Sequence, residues 1–400
     1  MSKPSTYLDH SATTATDPRV LEAMLPYFGE RYGNPSSLYQ AGATVRQALD
    51  EARRRIAEVL GARPKEIFFT SCGTESDNMA IRGAVWAQRD ARNHIITSQV
   101  EHHAVSHTCK QLEEVFGCEV TYLPVDREGL VDPDAVGRAI TERTALISIM
   151  YANNEVGTVE PINKIAKIAR QHQIPFHTDA VQAPGLLPLN VDTLGVDLMA
   201  ISGHKFYAPK GVGVLYVRTG TKLVPTQTGG GQERGMRAGT ENTALIIGLA
   251  RALELAESAR PAEVLRLTAL RDDLIQGVLN SIPDAVLTGS TTERLASHTS
   301  FLFNGVEGEG VVLKLDMAGI AASSGSACSS GDEGPSPVLA ALGYTYPLSR
   351  GSLRLSLGRE NTPEDVEHVL RELPPIIASL RALSPYYNSD GTVALSAPAW

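Results

Sequence analysis

From Tyr39 to Tyr216 short apolar or β-branched runs alternate with stretches whose apolar residues recur every three to four positions. IFFT (67–70), HIIT (94–97), VTYLPV (120–125), ALISIMY (145–151) and VGVLYV (212–217) predict strands. Between them, VRQALDEARRRIAEVL, which ends at Gly61, and KIAKIARQHQ predict helices. That alternation implies an α/β fold with a mostly parallel sheet covered on both faces, and in such sheets ligands gather beyond the carboxyl ends of the strands. A long helical stretch follows from about Asn242 to Leu279. The pattern then shortens. AVLTG near Ala285, TSFLF at Thr299 and LRLSLG at Leu353 predict strands, with helices near 310–317, 337–342 and 363–383. These make a smaller α/β domain hinged on the long helix. The final SPYYNSDGTVALSAPAW has no sustained period and predicts a weakly ordered tail.

Composition narrows the function classes. With 400 residues, 45 Asp and Glu against 36 Lys and Arg, and a net charge of −9, the chain lacks the basic surface that neutralises phosphate backbones, so direct nucleic-acid binding is not expected. MSKPSTYLDH carries no apolar signal core, and no window supplies the ~18–20 apolar residues a membrane span needs. A soluble protein with no membrane partner is the expectation. Cys72, Cys109, Cys118 and Cys328 form no CxxC pair, which argues against zinc or a disulfide framework and for a reducing, cytoplasmic setting.

Chemistry concentrates at predicted strand ends. In SGHKFYAPKG, Ser202, His204 and Lys205 follow the apolar run LMAI; a lysine there is suited to a Schiff base, because partial burial frees its amine. FHTDAVQ places Asp179 and Gln182 after another short strand. A carboxylate beside a pyridine nitrogen keeps that nitrogen cationic, so Asp followed by Lys suits a pyridoxal ring; taken alone, Asp179 reads equally well as a helix cap. FTSCGTES puts Gly73, Thr74 and Ser76 between a strand and a helix beginning near Glu75, where backbone amides face an anion. The run GGGQERGMRAGT is either a second phosphate contact through Thr240 or a plain solvated loop.

These residues, with the blocks YLDHSATT, GNPSS, EHHAV, ANNEVGTVEPI, SSGSACSS and LRLSLGRENT, resemble the cysteine desulfurases of the NifS and IscS type, class V members of the fold-type I pyridoxal-phosphate enzymes. The resemblance runs over nearly the whole chain. It implies a large cofactor-binding domain (15–257) with a seven-stranded type of sheet, a small domain (1–14 and 258–383) carrying a mobile Cys328 loop, and a tail (384–400). It implies that Lys205 holds pyridoxal 5'-phosphate as a Schiff base and moves the substrate's alpha proton. Asp179 pairs with the ring nitrogen, Gln182 with the phenolic oxygen, and His102 stacks on the ring. Gly73, Thr74, Ser202 and His204 bind the phosphate, joined by Thr240 from the other subunit of a homodimer. Asn154 and Arg354 hold the carboxylate of L-cysteine with help from Asn34, and Cys328 takes its sulfur as a persulfide for an acceptor such as an iron-sulfur scaffold. For Arg354 a structural ion pair is the competing reading.

Two rivals stay open on these residues: an aminotransferase or selenocysteine lyase that does not use Cys328, and a non-catalytic scaffold relative. Cys72 where glycine is usual, Tyr39 where histidine is frequent and Ala208 where glycine is common depart from the family pattern. Cys109 and Cys118 are expected to flank a helix as packing residues.

Overall fold

The computed structural model describes residues 6–325, 336–385 and 387. Its strands are β1 (Thr6–Tyr7), β2 (Ile67–Thr70), β3 (His94–Ser98), β4 (Glu119–Leu123), β5 (Thr144–Ser148), β6 (Phe176–Asp179), β7 (Leu198–Ser202), β8 (Gly213–Val217), β9 (Ala285–Leu287), β10 (His298–Phe303), β11 (Ile320–Ala321) and β12 (Ser352–Ser356).

Seven of them form one sheet in the order β2-β8-β7-β6-β5-β3-β4. Five neighbours, from β7 to β4, run parallel, and β8 lies antiparallel between β7 and β2. All but the edge strand β4 are buried at every position, as expected where helices cover both faces. On one face the helices Gln40–Leu60, Ile162–Gln171 and the first half of Thr243–Ser281 enclose Val45, Ile56, Ile165, Phe176, Met199 and Leu249. On the other, Gly73–Trp86 and His103–Phe116 pack Met79, Ile81, Val105, Cys109 and Leu112 onto the sheet.

A separate core joins Leu8, from the amino-terminal segment, to Leu270, Leu274, Phe301, Phe303, Leu355 and Val369. It sits on the antiparallel sheet β12-β10-β9. The amino-terminal segment runs along β12, with Ser356 N–H donating to Leu8 O (2.8 Å) and Ser11 N–H to Ser356 Oγ (3.0 Å).

Most predicted elements appear with shifted ends. The VTYLPV strand stops at Leu123, since Pro124 has no N–H for the ladder; Val125 makes only an isolated bridge with Val131. The helix ending at Gly61 starts at Gln40, five residues before Val45. Cys109 lies within the His103–Phe116 helix instead of flanking it, and with Cys118 it is buried. Of the predicted tail, only Ser384, Pro385 and Tyr387 lie among the described residues.

One buried ion pair anchors the glycine-rich loop. Arg53 donates through Nη1 and Nη2 to both carboxylate oxygens of Glu233 (2.8 and 2.6 Å), which also accepts from Phe69 N–H (2.8 Å). Glu233 and Arg234 both adopt positive φ, a backbone cost the pair helps hold. Glu233→Ala leaves a buried guanidinium unpaired and should cost about 3 kcal/mol in denaturant unfolding, whereas the double replacement Arg53→Met with Glu233→Leu should cost less.

Candidate active site

Five strands of the large sheet end at one cavity of about 220 Å³. Each contributes through its carboxyl end. The chain leaving β2 supplies Cys72, Gly73 and Thr74; that leaving β3 supplies His102; and that leaving β5 supplies Met150, Ala152 and Asn154. β6 ends on Asp179 with Gln182 beyond it, and β7 ends on Ser202, followed by His204 and Lys205. This is the place the parallel pattern assigns to ligands.

Asp179 is buried, and Oδ1 accepts from Val181 N–H (2.9 Å). Burial pushes its carboxyl up, while His102 and Lys205 pull it back toward the ionised form. His102 closes the amino terminus of its helix, with Nδ1 accepting from Ala104 N–H (3.1 Å). That bond assigns the proton of the neutral ring to Nε2, and burial lowers the ring's pKa. Lys205 Nζ donates to the carbonyls of Ser11 (2.5 Å) and Ala12 (2.9 Å), and Gln182 Nε2 also donates to Ser11 O (3.1 Å). His204, held down to about 4 by burial, pairs through Nδ1 with Thr13 Oγ1 (3.2 Å).

The anion cradle depends on Gly73, the first residue of its helix. A Cβ there would stand 2.6 Å from Val181 Cγ2 and 3.2 Å from Ser202 Cβ, so a side chain would fill the space between helix end and cavity floor. A helix amino terminus, two hydroxyls (Thr74, Ser202), an amine, a buried carboxylate and an imidazole in one cavity fit the phosphate, aldehyde and ring nitrogen of pyridoxal phosphate.

Other expected residues lie elsewhere. Thr240 and Asn34 are exposed and do not line the cavity; Asn34 Oδ1 accepts from Ser36 N–H (2.9 Å) in its own turn. Arg354 is 1 % exposed on β12, behind the cavity wall, with Nη1 donating to Asn154 O (2.9 Å) and Nη2 paired with Asp9 (2.8 Å). The ion-pair reading of Arg354 therefore describes this state. Cys328 lies outside the described residues. Among those described, no group of three or more His, Cys, Asp or Glu side chains is set to hold a metal ion.

Two polar cavity residues escaped the sequence reading. Ser11, in the YLDHSATT block, turns its carbonyl to Lys205. Asp77, four residues after Gly73 and so on the same helix face, is buried, and its Oδ1 lies 3.4 Å from His177 Nε2. The i, i+4 spacing was the available signal.

Glu101, next to His102, is also buried. It accepts from Ser98 Oγ (2.6 Å) and Met150 N–H (3.1 Å), yet burial pushes it from 4.5 up to about 8. A raised carboxyl favours the folded state while protonated, so its contribution is full below about pH 4.5 and is lost as pH rises toward about 8. Glu101→Gln should flatten that part of the stability–pH profile, followed as urea midpoints across the range.

The chain matches the aminotransferase class-V family model over residues 6–369. It is 52% identical over 384 residues to the cysteine desulfurase IscS of Dictyoglomus turgidum, covering 96% of this chain and 97% of the relative. A solved NifS-like protein superposes with a TM-score of 0.88 at 37% identity, over 94% of this chain and 99% of the other. A second structure, described as SspA in complex with cysteine, superposes with a TM-score of 0.77 at 37% identity, over 88% of this chain and 99% of its own.

Proposed function

The chain belongs to the aminotransferase class-V family and acts as a cysteine desulfurase; from that premise we propose how its own residues divide the reaction. The observation that carries the division is the meeting of Lys205, Asp179 and His102 in one strand-end cavity beside an amino-terminal helix cradle.

Bound pyridoxal phosphate supplies an electron sink for the pair left when the substrate's alpha carbon loses its proton. Lys205 would hold the cofactor's aldehyde carbon through Nζ, and its amine is the group that would move that alpha proton. Asp179 keeps the ring nitrogen protonated, and Gln182 reaches the phenolic oxygen. His102 would stack on the ring, and the proton on its Nε2 would serve the substrate thiol. Gly73, Thr74, Ser202 and His204 receive the phosphate, and Asn154 and Arg354 receive the substrate carboxylate, with Asn34 assisting.

Cys328 as thiolate then attacks the substrate sulfur: the new S–S bond forms as the carbon–sulfur bond breaks. The electron pair stays with the carbon fragment, which gains a proton and leaves as L-alanine. The resulting persulfide passes its outer sulfur to an acceptor protein of the iron-sulfur assembly or thiolation kind, in a reducing cytoplasm that keeps the thiol free.

The division into a large domain at 15–257 and a small one at 1–14 with 258–383 is part of this reading, and the separate apolar clusters around Leu249 and around Leu274 support it. Phe28 (62% exposed), Tyr32 (79%) and Leu38 (96%) fall within eleven consecutive residues of the chain, which supports a homodimer in which Thr240 reaches the partner's phosphate site. Among the described residues no helix is long and apolar enough to cross a membrane.

Given L-cysteine, the cofactor-loaded protein should yield alanine and, with a reductant, sulfide in equal amounts. Lys205→Ala should lose the cofactor's covalent attachment, and Cys328→Ala should slow sulfur release by about a hundredfold or more. Native-rate release from Cys328→Ala would refute the persulfide step, and a dependence on added keto acid would point to transamination.

A further inference from the structure

The guanidinium of Arg354 is cut off from solvent, and a buried cation keeps its place only when paired. Its Nη1 proton goes to the carbonyl of Asn154, a cavity residue, so the head group stands directly behind the cavity wall. Its Nη2 is held by Asp9 Oδ1 at 2.8 Å, and its Nε has no partner among the described residues. The two members of the ion pair differ in access to water. The Asp9 side chain is 22% exposed and that of Arg354 2%. A carboxylate with a route to solvent can leave, whereas the arginine must find another anion before it does.

The other charges around Arg354 do not fill that role. Glu155, buried and accepting from Ser336 Oγ (2.5 Å), is pushed up to about 7 by burial. His298 is buried and held near 3, so its ring is neutral, and its Nε2 shares the Asn154 carbonyl with Arg354 (3.0 Å). Asp9 is thus the only carboxylate paired with Arg354 among the described ion pairs.

Asp9 also begins the four-residue stretch whose next carbonyls, Ser11 O and Ala12 O, accept from Lys205 Nζ. One short segment therefore contacts both cations assigned to the reaction. Its backbone is fastened to β12 at Ser356, on either side of Asp9, by the bonds from Ser356 N–H to Leu8 O and from His10 N–H to Ser356 O (3.3 Å). Exchange at Arg354 can then proceed by rotation of the Asp9 side chain while the segment stays in place.

We propose that Asp9 is an exchangeable counter-ion: it occupies on Arg354 the place of the substrate's carboxylate and yields it when L-cysteine binds. This rests on the reading that Arg354 receives that carboxylate. It makes Asp9 a specificity-determining residue, since an amine without a carboxylate has nothing to offer Arg354 in exchange and leaves the pair intact. It also means that part of the affinity for L-cysteine is spent on displacing an internal competitor.

The test uses the cofactor-loaded enzyme, with Asp9→Asn and, as a second neutral replacement, Asp9→Ser. KM is measured for L-cysteine, and dissociation constants for L-alanine and for cysteamine, the decarboxylated analogue of cysteine, are read from the cofactor's visible absorbance. Removing the competitor should lower KM for L-cysteine and the L-alanine constant by roughly two- to fivefold, the range of a partly exposed ion pair. The cysteamine constant should not move. An unchanged or raised KM for L-cysteine in both variants would overturn the proposal, and so would an equal shift for cysteamine, which would mark a general structural effect. Arg354→Lys separates the premise from the proposal: if it leaves the L-alanine constant unaltered, the carboxylate assignment of Arg354 fails, whatever Asp9 does.

Discussion

Asp179 is a carboxylate placed where water cannot stabilise it, at the carboxyl end of a strand buried on both faces. A buried anion survives only through partners, and much of the site can be read as their arrangement. Val181 N–H, His102 and Lys205 favour its ionised form. Asp77 and Glu101, equally buried and without Lys205 among their influences, are pushed upward, Glu101 to about 8. Of the three carboxyl groups, Asp179 is the one that Lys205 draws back toward the ionised form, at the place where a cationic ring nitrogen is to be held.

The same economy of charge governs the seam between the two cores. Arg354 belongs to β12 of the smaller sheet and Lys205 to the end of β7 in the larger, yet the amino-terminal segment contacts both. Burial of Leu8 in the smaller core and the bonds to Ser356 fix that segment. Farther off, the Arg53–Glu233 pair pins the glycine-rich loop to the sheet through β2. In each case a side chain or backbone group from one layer satisfies a polar group that another layer has buried.

Much of this was legible in the sequence, for a physical reason. Strands buried on both faces must be continuously apolar, and helices between them must repeat every three to four residues, so IFFT, HIIT and the long helix after Asn242 stand out. Lys205, Asp179 and Thr74 were recoverable because strand ends in such a sheet converge, His102 only through the resemblance, and the cavity gathers all four. What escaped was contact between distant stretches. Asp9 and Arg354 are 345 residues apart, and no local period records that their side chains meet. The exposed positions of Asn34 and Thr240 have a related cause, as a resemblance transfers a residue's task but not the surface of the chain from which it acts.

The Thr243–Ser281 helix has a consequence for how the molecule comes apart. Its first half is buried in the large core through Ile246, Leu249 and Leu253, its second in the small core through Leu267, Leu270 and Leu274, with Pro261 between them. Half of such a helix, about 20 residues, is only marginally stable in water. Neither core can dissolve without stripping support from a rod that the other also needs, so their meltings are thermodynamically linked. The proline, which deletes one rung of the helix's own bonding, marks where that linkage is thinnest.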